Sequence, residues 1–551
     1  MKKKYYVAAF KNVINRPDGD TCVTIGEWGV MECGKSKVGK GVGTGDFLKF
    51  ASANCSGKCS RIYVYDLGFW GYYLLYALID EYHYSIYDGA DLDDMPKGSI
   101  QCTISGEGVW YILRIKTAKG NLLTFYDAQK KFPFPIDKVA KDLRIPYDGS
   151  IESELSVLSK GLQSVYIDQG HDRITIGADC LAEYKSMVPH FSAIFPILTP
   201  DVDMYMRSAY RGAICYVKGG DHYTGPGCSY DACSLYPSQM HSQSGNVYPY
   251  GDPVKYEGAY TYDRAYPLYI QRCVVTATLK PDHMPCISPT ADMGKSTAYL
   301  TTMDSIELTL TSVDMELLHE QYDVHDIYMI DGCKFQAKRG LFDCYINEYM
   351  ALKNIADHDG DPVKRMIAKL FLNNLYGKFG TKLHKSNNIP SYIDKRKVYF
   401  TPKDTDGVGV YVPVACFVTA YGRRETVHIA QANWKYFDMC DTDSIHCHAW
   451  PDQLVGIPKG DGIGKWKLET VYERAHFVRL KCYVEDVIWD KKPKESSLSY
   501  KCAGATPEVK ELFTWDNFKT GSFFPKAKPV KKYVKGGCIR VMGPFTITES
   551  L

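Results

Sequence analysis

The sequence predicts an α/β protein divided into several domains. Its 551 residues exceed what one hydrophobic core accommodates, and 45% hydrophobic with 24% charged residues is ordinary for a globular protein. Short apolar runs bounded by Gly and Asp alternate with longer segments of helical periodicity, a mixture that predicts sheets covered by helices. The chain shows no internal repeat and no low-complexity segment, which excludes a repeat array.

Several segments predict individual elements. Residues 62–65 form a short run typical of a strand, and the apolar residues 70–79 predict the helix after it. Residues 268–275 are the clearest strand of a turn-rich stretch. Residues 341–378 repeat apolar positions at helical spacing with a polar break at 357–362, which predicts a helical hairpin.

Composition excludes some classes of protein. No run of about 18 apolar residues occurs, so we expect no membrane span. The amino terminus, Met1-Lys2-Lys3-Lys4, has no apolar stretch after it, so we expect no signal peptide and a cytoplasmic location. The formal net charge of +2 indicates no partner by itself. Lysines crowd near the carboxyl end, where a nucleic-acid path and a solvated tail both fit them: Lys526, Lys528, Lys531, Lys532 and Lys535.

The 19 cysteines are scattered, and an intracellular chain of this size needs no disulfide framework. Four of them fall within the first sixty residues: Cys22, Cys33, Cys55 and Cys59. Cys55 and Cys59 have a spacing that zinc sites use, whereas Cys22 and Cys33 are too far apart for the usual second pair. We predict free buried thiols and leave zinc as the alternative.

Two aspartates, Asp441 and Asp443, stand two residues apart before Ser444. Side chains at this spacing point to the same side of an extended chain, and residues 434–437 and 445–448 suit two strands joined by a tight turn. Carboxylates crowded there repel each other unless a cation lies between them, and hard oxygen ligands favour magnesium or manganese over zinc. An exposed Asp-rich turn is the alternative.

A third carboxylate, Asp231, ends a predicted strand and precedes Ser234, Leu235 and Tyr236. Backbone amides at that point would support a triphosphate, and the ring of Tyr236 would lie against the sugar. Such packing leaves no space for a ribose 2′-hydroxyl, so we expect a preference for deoxynucleotides. The alternative is a helix cap followed by a core tyrosine.

A polar stripe runs along one predicted helix. Lys369, Asn373, Tyr376 and Gly377 follow the spacing i, i+4, i+7 and i+8, so they share one helical face. A cation, an amide and an aromatic ring can hold phosphate, sugar and base, and Gly377 leaves room for a base pair. An ordinary amphipathic helix would explain the leucines but not this stripe.

The three elements together predict phosphoryl transfer assisted by two Mg²⁺ ions, for which Mn²⁺ can substitute. Asp231, Asp441 and Asp443 would hold the metals and Lys369 the triphosphate. No protein nucleophile is needed, which agrees with the lack of a convincing Ser/His/Asp or Cys/His set.

With these motifs the chain resembles the family B DNA polymerases, specifically the protein-primed kind of small phages with linear genomes. Residues 231–237 are similar to the first palm motif, 369–377 to the fingers motif and 441–444 to the second palm motif. Further similar segments are 210–213, like the family's Y-x-G-G/A link, and 481–483, like its K-x-Y motif. The resemblance runs in order from about residue 100 to the carboxyl end.

The resemblance implies a right-hand polymerase fold with palm, fingers and thumb after an RNase H-like exonuclease-type domain. The first insertion would contact a terminal protein primer, and the second resembles a hairpin that encircles DNA and gives strand displacement and processivity. The implied boundaries are 1–171 for the exonuclease-like domain, 172–242 and 412–503 for the palm, 243–326 and 381–411 for the insertions, 327–380 for the fingers and 504–551 for the thumb.

The resemblance also implies roles for single residues. Tyr236 would be the sugar gate, Lys369 would bind phosphates, Tyr376 would stack at the nascent pair, and Lys334 would lie near the nucleotide entry. Lys481 and Tyr483 would steady the primer end, and the segment Tyr210, Arg211 and Gly212 would contact the template. The implied partners are primer-template DNA, deoxynucleoside triphosphates and a terminal protein, for a monomeric enzyme in the infected bacterial cytoplasm. Asn374 stands where the family usually has Ser, a change we expect to be tolerated.

The larger departures lie in the amino-terminal third. The family's exonuclease strand carries two carboxylates, and this chain has Ala9 and Lys11 there. Trp70 replaces a second-segment Asp, and Ile151 and Leu155 replace a Tyr and an Asp of the third segment. Two-metal hydrolysis needs carboxylates to hold the metals, so we expect a domain that keeps its fold without proofreading. Asp66 or Asp80 serving in another arrangement remains the alternative.

Two other functions stay open at this stage. A catalytically silent nucleic-acid-binding protein could share the fold, although it need not keep Asp231, Asp441, Asp443 and Lys369 together. An RNA-synthesising enzyme such as a primase is disfavoured by Tyr236.

Overall fold

The computed structural model describes residues 3–15, 20–289, 299–394, 397–407 and 409–550. Residues 290–298 of the predicted first insertion, and 395, 396 and 408 of the second, lie outside the described residues, as do Met1 and Lys2. Within the described part of the chain, no helix has the length and apolar character that a membrane crossing requires.

The amino-terminal domain is a mixed sheet covered by helices. Its elements are β1 (Lys4–Asn15), β2 (Cys22–Glu32), β3 (Val38–Val42), α1 (Thr44–Asn54), β4 (Ser60–Val64), α2 (Leu67–Tyr76), β5 (Ser85–Ile86), β6 (Ser99–Ile104), β7 (Trp110–Lys116), β8 (Leu122–Asp127), α3 (Ile136–Asp142) and α4 (Ile151–Gly161). The strand order is β3-β2-β1-β4-β8-β7-β6-β5, with β1 parallel to β4. The strand and helix predicted at 62–65 and 70–79 are β4 and α2.

A second sheet forms the predicted palm. Three helices lead into it: α5 (Ile176–Met187), α6 (Phe191–Ile194) and α7 (Pro200–Arg207). The sheet and its helices are β9 (Cys215–Val217), β10 (His222–Thr224), β11 (Gly227–Ala232), α8 (Leu235–Met240), then, after the insertions, α13 (Val412–Ala432), β18 (Phe437–Asp441), β19 (Ser444–Cys447), β20 (Trp466–Arg479), β21 (Cys482–Trp489) and β22 (Pro493–Cys502). The order is β22-β21-β20-β11-β19-β18-β9, and β10 pairs with β20. Because α13 is buried along most of its length, it fixes the back of this sheet.

The first insertion is a separate antiparallel sheet. It contains β12 (Tyr248–Glu257), β13 (Leu268–Leu279), β14 (Thr302–Thr311), α9 (Ser312–Gln321) and β15 (Tyr322–Lys338), in the order β12-β15-β13-β14. The strand predicted at 268–275 is β13. The boundary predicted at 326 cuts through β15, whose residues pair with β12 and β13 up to Lys338, so this unit is longer than the sequence indicated.

The predicted helical hairpin is present. It consists of α10 (Asp343–Asp359), α11 (Pro362–Asn374) and the short α12 (Tyr376–Phe379). Gly360 takes a left-handed conformation after α10, and the Asp361 side chain caps α11 by accepting from the Val363 and Lys364 amides. This chemistry explains why the polar break at 357–362 marks the tip.

Two β-hairpins extend from the domains. One is β16 (His384–Ile393) with β17 (Val398–Asp406), and the other is β23 (Phe523–Val534) with β24 (Gly537–Thr546), which follows α14 (Pro507–Lys510). We call them the second-insertion hairpin and the thumb hairpin.

Candidate active site

The turn between β18 and β19 presents two carboxylates. β18 ends at Asp441 and β19 begins at Ser444, as the spacing predicted. Thr442 has a φ of 62°, a costly conformation for a branched residue, and its amide donates to the Ile214 carbonyl at 2.9 Å. Asp441 and Asp443 are thereby held on one tight turn.

Sheet pairing brings the third carboxylate to this turn. β11 lies beside β19, and Asp231 stands directly opposite Ser444. The amide of Ala232 donates to the Asp443 carbonyl at 2.6 Å. Carboxylates about 200 residues apart in sequence therefore meet because of strand register, not because of local spacing.

Two of the three carboxylates, Asp231 and Asp443, have raised pKa values. Burial, together with the charges of Asp443 and Glu469, raises the pKa of Asp231 to about 7, while His446 and Lys369 act in the opposite direction. Burial, together with the charges of Asp441 and Glu469, raises the pKa of Asp443 to about 6. Desolvated like charges of this kind are stabilised when a cation lies among them.

Sequence reasoning missed Glu469, which lies on β20 beside β11. Glu469 and Glu473 occupy the same strand, and the local sequence does not distinguish them. Only the folding of β20 against β11 brings Glu469 close enough to Asp231 to raise the pKa of that carboxyl.

Asp441 is positioned by its neighbours. One of its oxygens, Oδ1, lies 3.1 Å from the Lys481 ammonium and accepts a hydrogen bond from the Cys215 thiol, also at 3.1 Å. Lys481 occupies the turn between β20 and β21 with a φ of 56°, and Tyr483 follows it with its ring against His446. Cys215 is a second residue that sequence reasoning missed, because only the pairing of β9 with β18 places it beside Asp441.

The start of α8 borders the carboxylates. Ser234 has a φ of 56° and precedes the first helical turn, whose amides have no intrahelical partner. The side chain of Leu235 is buried, so only its backbone faces the site. The ring of Tyr236 lies 4.3 Å from that of Tyr376, and a Cβ added to Gly422 would come within 3.0 Å of it.

The polar stripe of α11 and α12 faces the same space. Lys369 and Asn373 are exposed, and Lys369 lies near enough to Asp231 to lower the pKa of that carboxyl. A Cβ added to Gly377 would meet nothing within 4 Å, so the backbone there is open to an approaching group. The structure thus brings together the carboxylates, the lysine and the two tyrosines that the sequence singled out.

Comparison with known proteins shows which family the chain belongs to. The family described as DNA polymerase type B, organellar and viral, matches residues 156–453. The DNA polymerase of Bacillus phage Nf is 35% identical over 491 residues, covering 81% of this chain and 84% of the relative. That of Streptococcus phage Cp-1 is 30% identical over 488 residues, covering 82% and 84%. The chain belongs to the type B DNA polymerases.

Solved structures agree with this membership. Phi29 DNA polymerase complexed with primer-template DNA has a TM-score of 0.89 and 28% identity, and the similarity covers 99% of this chain and 100% of that one. The ternary complex of phi29 DNA polymerase with primer-template DNA and incoming nucleotides gives 0.88. The chain is therefore a DNA-directed DNA polymerase of the phage type, with a palm, fingers and thumb and an exonuclease-type domain.

Family B membership implies dependence on divalent metal ions. The half-buried carboxylates of Asp231 and Asp443 fit such ions, because their raised pKa values indicate negative charge that lacks a compensating cation. Among the described residues, however, no three His, Cys, Asp or Glu side chains converge closely enough to hold an ion alone. Magnesium is commonly held by one or two carboxylates together with substrate phosphates, so the donor set fits a metal that arrives with the nucleotide.

The template contact predicted for Arg211 differs from what the polymerase shows. Arg211 is 6% exposed, and its guanidinium donates to the carbonyls of Ser288 and Thr309, so it faces the interior and not a template surface. Burial lowers the pKa of Arg211 to about 10. Tyr210 and Gly212 are only half-buried: a Cβ on Gly380 would lie 2.6 Å from the Tyr210 hydroxyl, and the Gly212 carbonyl accepts from Arg423, so the template contact of these two residues stays a prediction.

Lys334 lies in a different unit from the one predicted, and its place near the nucleotide entry stays a prediction. It lies on β15 within the insertion sheet, not in the fingers, and its ammonium pairs with Asp263 at 2.7 Å and lies over the Tyr266 ring. The sequence pattern could not reveal this pairing, because Asp263 is in a loop 71 residues away.

The cleft where the exonuclease-type domain would hold its metals is filled differently from the palm. Ala9 is buried on β1, Leu155 is buried on α4, and the ring of Trp70 packs 5.3 Å from that of Phe10. The Lys11 ammonium reaches across to the Gly149 carbonyl at 2.8 Å. Apolar packing and a lysine thus occupy the positions where carboxylates are expected in the family.

Proposed function

We propose that the polymerase adds deoxynucleotides to a primer 3′-hydroxyl by two-metal phosphoryl transfer. Asp231 and Asp443 would hold Mg²⁺, or Mn²⁺ in its place, with Asp441 completing the carboxylate set. Bound metals would lower the proton affinity of the attacking hydroxyl and neutralise charge on the leaving pyrophosphate. The single observation that supports this most is the register of β11 and β19, in which Asp231 lies opposite Ser444, the residue after the turn that carries Asp441 and Asp443.

The protein's own groups would bind and orient the substrates. Lys369 and the first amides of α8 would hold the triphosphate, as a lysine and a helix N-terminus commonly do. Tyr236, backed by Gly422, would exclude a ribose 2′-hydroxyl, and Tyr376 would stack at the new base pair above the open backbone of Gly377. Asn373 would contact the sugar edge of the nucleotide.

Lys481 and Tyr483 would steady the primer terminus. The Lys481 ammonium already lies beside the Asp441 carboxylate, so it is placed to orient both this carboxylate and a primer phosphate. The Tyr483 ring is packed against His446, which would hold the ring in place for a contact with the primer end.

Primer extension with Asp441→Ala and Asp443→Ala variants tests this assignment. We expect both variants to lose incorporation while they still bind DNA, since only the carboxylates are removed. Parallel reactions with ribonucleotides separate DNA synthesis from the RNA-synthesising alternative, and wild-type inactivity with both substrates would favour the silent scaffold. Incorporation that survives either substitution would refute the metal assignment.

We further propose that the polymerase lacks 3′–5′ proofreading. Ala9, Lys11, Trp70 and Leu155 stand where metal-holding carboxylates would be required, and their side chains are packed into the domain or bonded to backbone. A labelled single-stranded oligonucleotide incubated with Mg²⁺ tests this directly. Robust 3′ shortening that a chelator abolishes would contradict it.

Protein priming is proposed for the same enzyme, as a monomer acting in the cytoplasm of an infected bacterium. It rests on the insertion sheet, which we place at 243–338 so that β15 stays whole, and on the second-insertion hairpin, to which we assign strand displacement. The other domain boundaries are proposed as they were predicted from the sequence. Deoxynucleotide transfer onto a candidate terminal protein, compared with extension of a DNA primer, tests this role.

A further inference from the structure

The turn that carries Asp441 and Asp443 is strained at its centre. The Asp443 amide donates to the Asp441 carbonyl at 2.7 Å across Thr442, whose φ is 62°. A three-residue turn with a positive φ at its centre is the rare and strained form of the γ-turn. The conformation is especially costly for a β-branched residue, and it persists only where the surrounding structure holds it.

Two buried residues outside the turn hold the backbone of Thr442. Its amide donates at 2.9 Å to the carbonyl of Ile214, the residue before β9. Its carbonyl accepts a hydrogen bond at 2.9 Å from the hydroxyl of Thr426, a fully buried residue of α13. The donor and the acceptor of the strained residue are therefore both paired with elements that lie on either side of the turn.

One face of α13 contacts two parts of the site. Gly422 and Thr426 are four residues apart, so they lie one above the other on this helix. Gly422 lies against the ring of Tyr236, and Thr426 bonds to the turn of the carboxylates. Because a helix advances about 1.5 Å per residue, the two positions lie about 6 Å apart along its axis. The helix thus fixes the turn relative to the proposed sugar gate.

Cys215 contacts the same turn from β9. It stands directly opposite Asp441 in the pairing of β9 with β18, and its thiol donates to Oδ1 of that carboxylate at 3.1 Å. The Lys481 ammonium contacts the same oxygen. The Cys215 amide donates to the Tyr299 hydroxyl at 3.1 Å, a bond that holds the strand without involving the thiol.

We propose that Thr426 is a positioning residue of the polymerase reaction: its hydroxyl keeps the Thr442 peptide in the conformation that holds Asp441 and Asp443 towards the metal ions. Cys215 supports the same turn from β9 with its weaker S–H donor. Both residues act through the turn and not on a substrate. The proposal rests on the two-metal reaction proposed above, because the turn has a role in catalysis only if its carboxylates bind metal ions.

Two substitutions of Thr426 test the proposal in the full-length enzyme. Thr426→Val removes the hydroxyl at nearly constant volume, and Thr426→Ser keeps it. We expect Thr426→Val to lower the rate of single-nucleotide addition about ten- to hundredfold, the range that a misplaced catalytic group produces. It should also raise the Mg²⁺ concentration that gives half of the maximal rate. Thr426→Ser should stay within about threefold of the wild type in both measurements. Discrimination against ribonucleotides should change in neither variant, because the contact of Gly422 with Tyr236 remains.

Amide hydrogen exchange supplies a readout that needs no turnover. Without metal ions or DNA, residues 441–444 should exchange faster in Thr426→Val than in Thr426→Ser or the wild type. Exchange in the exonuclease-type domain should be the same in all three proteins. A purely structural role of Thr426 would lower the temperature of unfolding without changing the Mg²⁺ requirement of the reaction.

Cys215 supplies a second test at a half-buried position, which does not depend on whether Thr426→Val folds. Cys215→Ala should raise the Mg²⁺ requirement by less than Thr426→Val does, since a thiol is the weaker donor. Cys215→Ser should restore the wild-type requirement, because its hydroxyl replaces the thiol. Tyr299→Phe is the matched control: it removes the bond to the Cys215 amide, leaves the thiol in place and should not change the Mg²⁺ requirement.

Two outcomes would overturn the proposal. A Thr426→Val enzyme with the rate and Mg²⁺ requirement of the wild type would show that the turn keeps its geometry without the hydroxyl. Equal losses in Thr426→Val and Thr426→Ser would show that the side chain acts through packing. A wild type that adds no nucleotide would instead refute the polymerase function, and the exchange comparison would still decide whether Thr426 holds the turn.

Discussion

The palm site and the exonuclease-type cleft share a backbone arrangement, but they differ in whether charged or apolar side chains stand at the corresponding positions. Each lies where a strand ends before a helix, β11 before α8 in the palm and β4 before α2 in the cleft. In the palm, Asp231 and Asp443 are half-buried beside other carboxylates, and their pKa values are raised as a result. In the cleft, Ala9 and Trp70 pack against apolar neighbours instead. The palm thus keeps crowded carboxylates at the positions assigned to metal binding, whereas apolar side chains take the corresponding positions in the cleft.

The largest expected effect is on the rate of nucleotide addition, and it separates two carboxylates whose pKa values are raised to a similar extent. Burial raises the pKa of both Asp231 and Glu154 to about 7, but only Asp231 lies in the palm. Asp231→Asn should lower the rate of single-nucleotide addition by about a thousandfold or more, since it removes a metal ligand at the reacting phosphate. Glu154→Gln should leave that rate within about twofold of the wild type.

Rapid-quench measurement of single-nucleotide addition on a primed template gives both rates. DNA binding by each variant, measured by anisotropy, controls for misfolding. A Glu154→Gln variant that loses nucleotide addition would show that the cleft contributes to the palm reaction, and the contrast between the two regions would fail.

A smaller effect is expected on the discrimination between deoxynucleotides and ribonucleotides. Removing the ring in Tyr236→Ala should raise the relative use of ribonucleotides about tenfold or more, the range typical of a lost steric contact in a pocket. Tyr236→Phe is the matched control, because it keeps the ring that packs against Gly422 and Tyr376 and should keep the discrimination. Competition between deoxy- and ribonucleotides in primer extension measures the ratio. Equal discrimination by the Ala and Phe variants would assign the sugar gate to another residue.

The palm site and the exonuclease-type cleft should differ in how pH and Mg²⁺ change the stability of the protein. The folded-state pKa values of Asp231 and Asp443 lie above the ordinary value of 3.8, so their contribution to stability is fully present below that pH and is lost as pH rises through about 6 to 7. Each group should therefore cost the metal-free protein on the order of 1 kcal/mol by pH 8, after allowance for solvent screening. Mg²⁺ should restore this loss, because it replaces the missing protons.

Thermal unfolding at pH 5.5 and pH 8, with chelator and with Mg²⁺, gives the measurement. Asp443→Asn should flatten the pH dependence and weaken the stabilisation by Mg²⁺. Glu154→Gln should also flatten the pH dependence, since its raised pKa has the same sign, but should leave the response to Mg²⁺ intact. Equal stabilisation of Asp443→Asn and wild type by Mg²⁺ would place the metal elsewhere.

The local sequence predicted most of the features that depend on residues close together in the chain. The turn at Asp441 and Asp443, the helical face of Lys369 and the break at 357–362 follow from spacing and capping chemistry, and the structure has them. Glu469 and Cys215 could not be found this way, because each reaches the site only through strand pairing. Arg211 was misplaced for a related reason: its partners Ser288 and Thr309 lie 77 and 98 residues away, so nothing nearby in sequence predicted its burial.

The smallest effect is expected at Asn374, where the polymerase part of the chain departs from its family. Asn374 stands where Ser is usual, yet its amide donates to the Leu370 carbonyl at 2.7 Å, within its own helix and away from the carboxylates. A Ser hydroxyl makes the same contact to the preceding helical turn, so Asn374→Ser should change the rate of nucleotide addition by no more than about twofold. The exposed neighbour Asn373 points with Lys369 into the site, and Asn373→Ser is the matched substitution. It should raise the KM for nucleotide, whereas Asn374→Ser should not. An equal rise for both would mean that this helix end tolerates no change at all, and that departures in the palm half matter as much as those in the cleft.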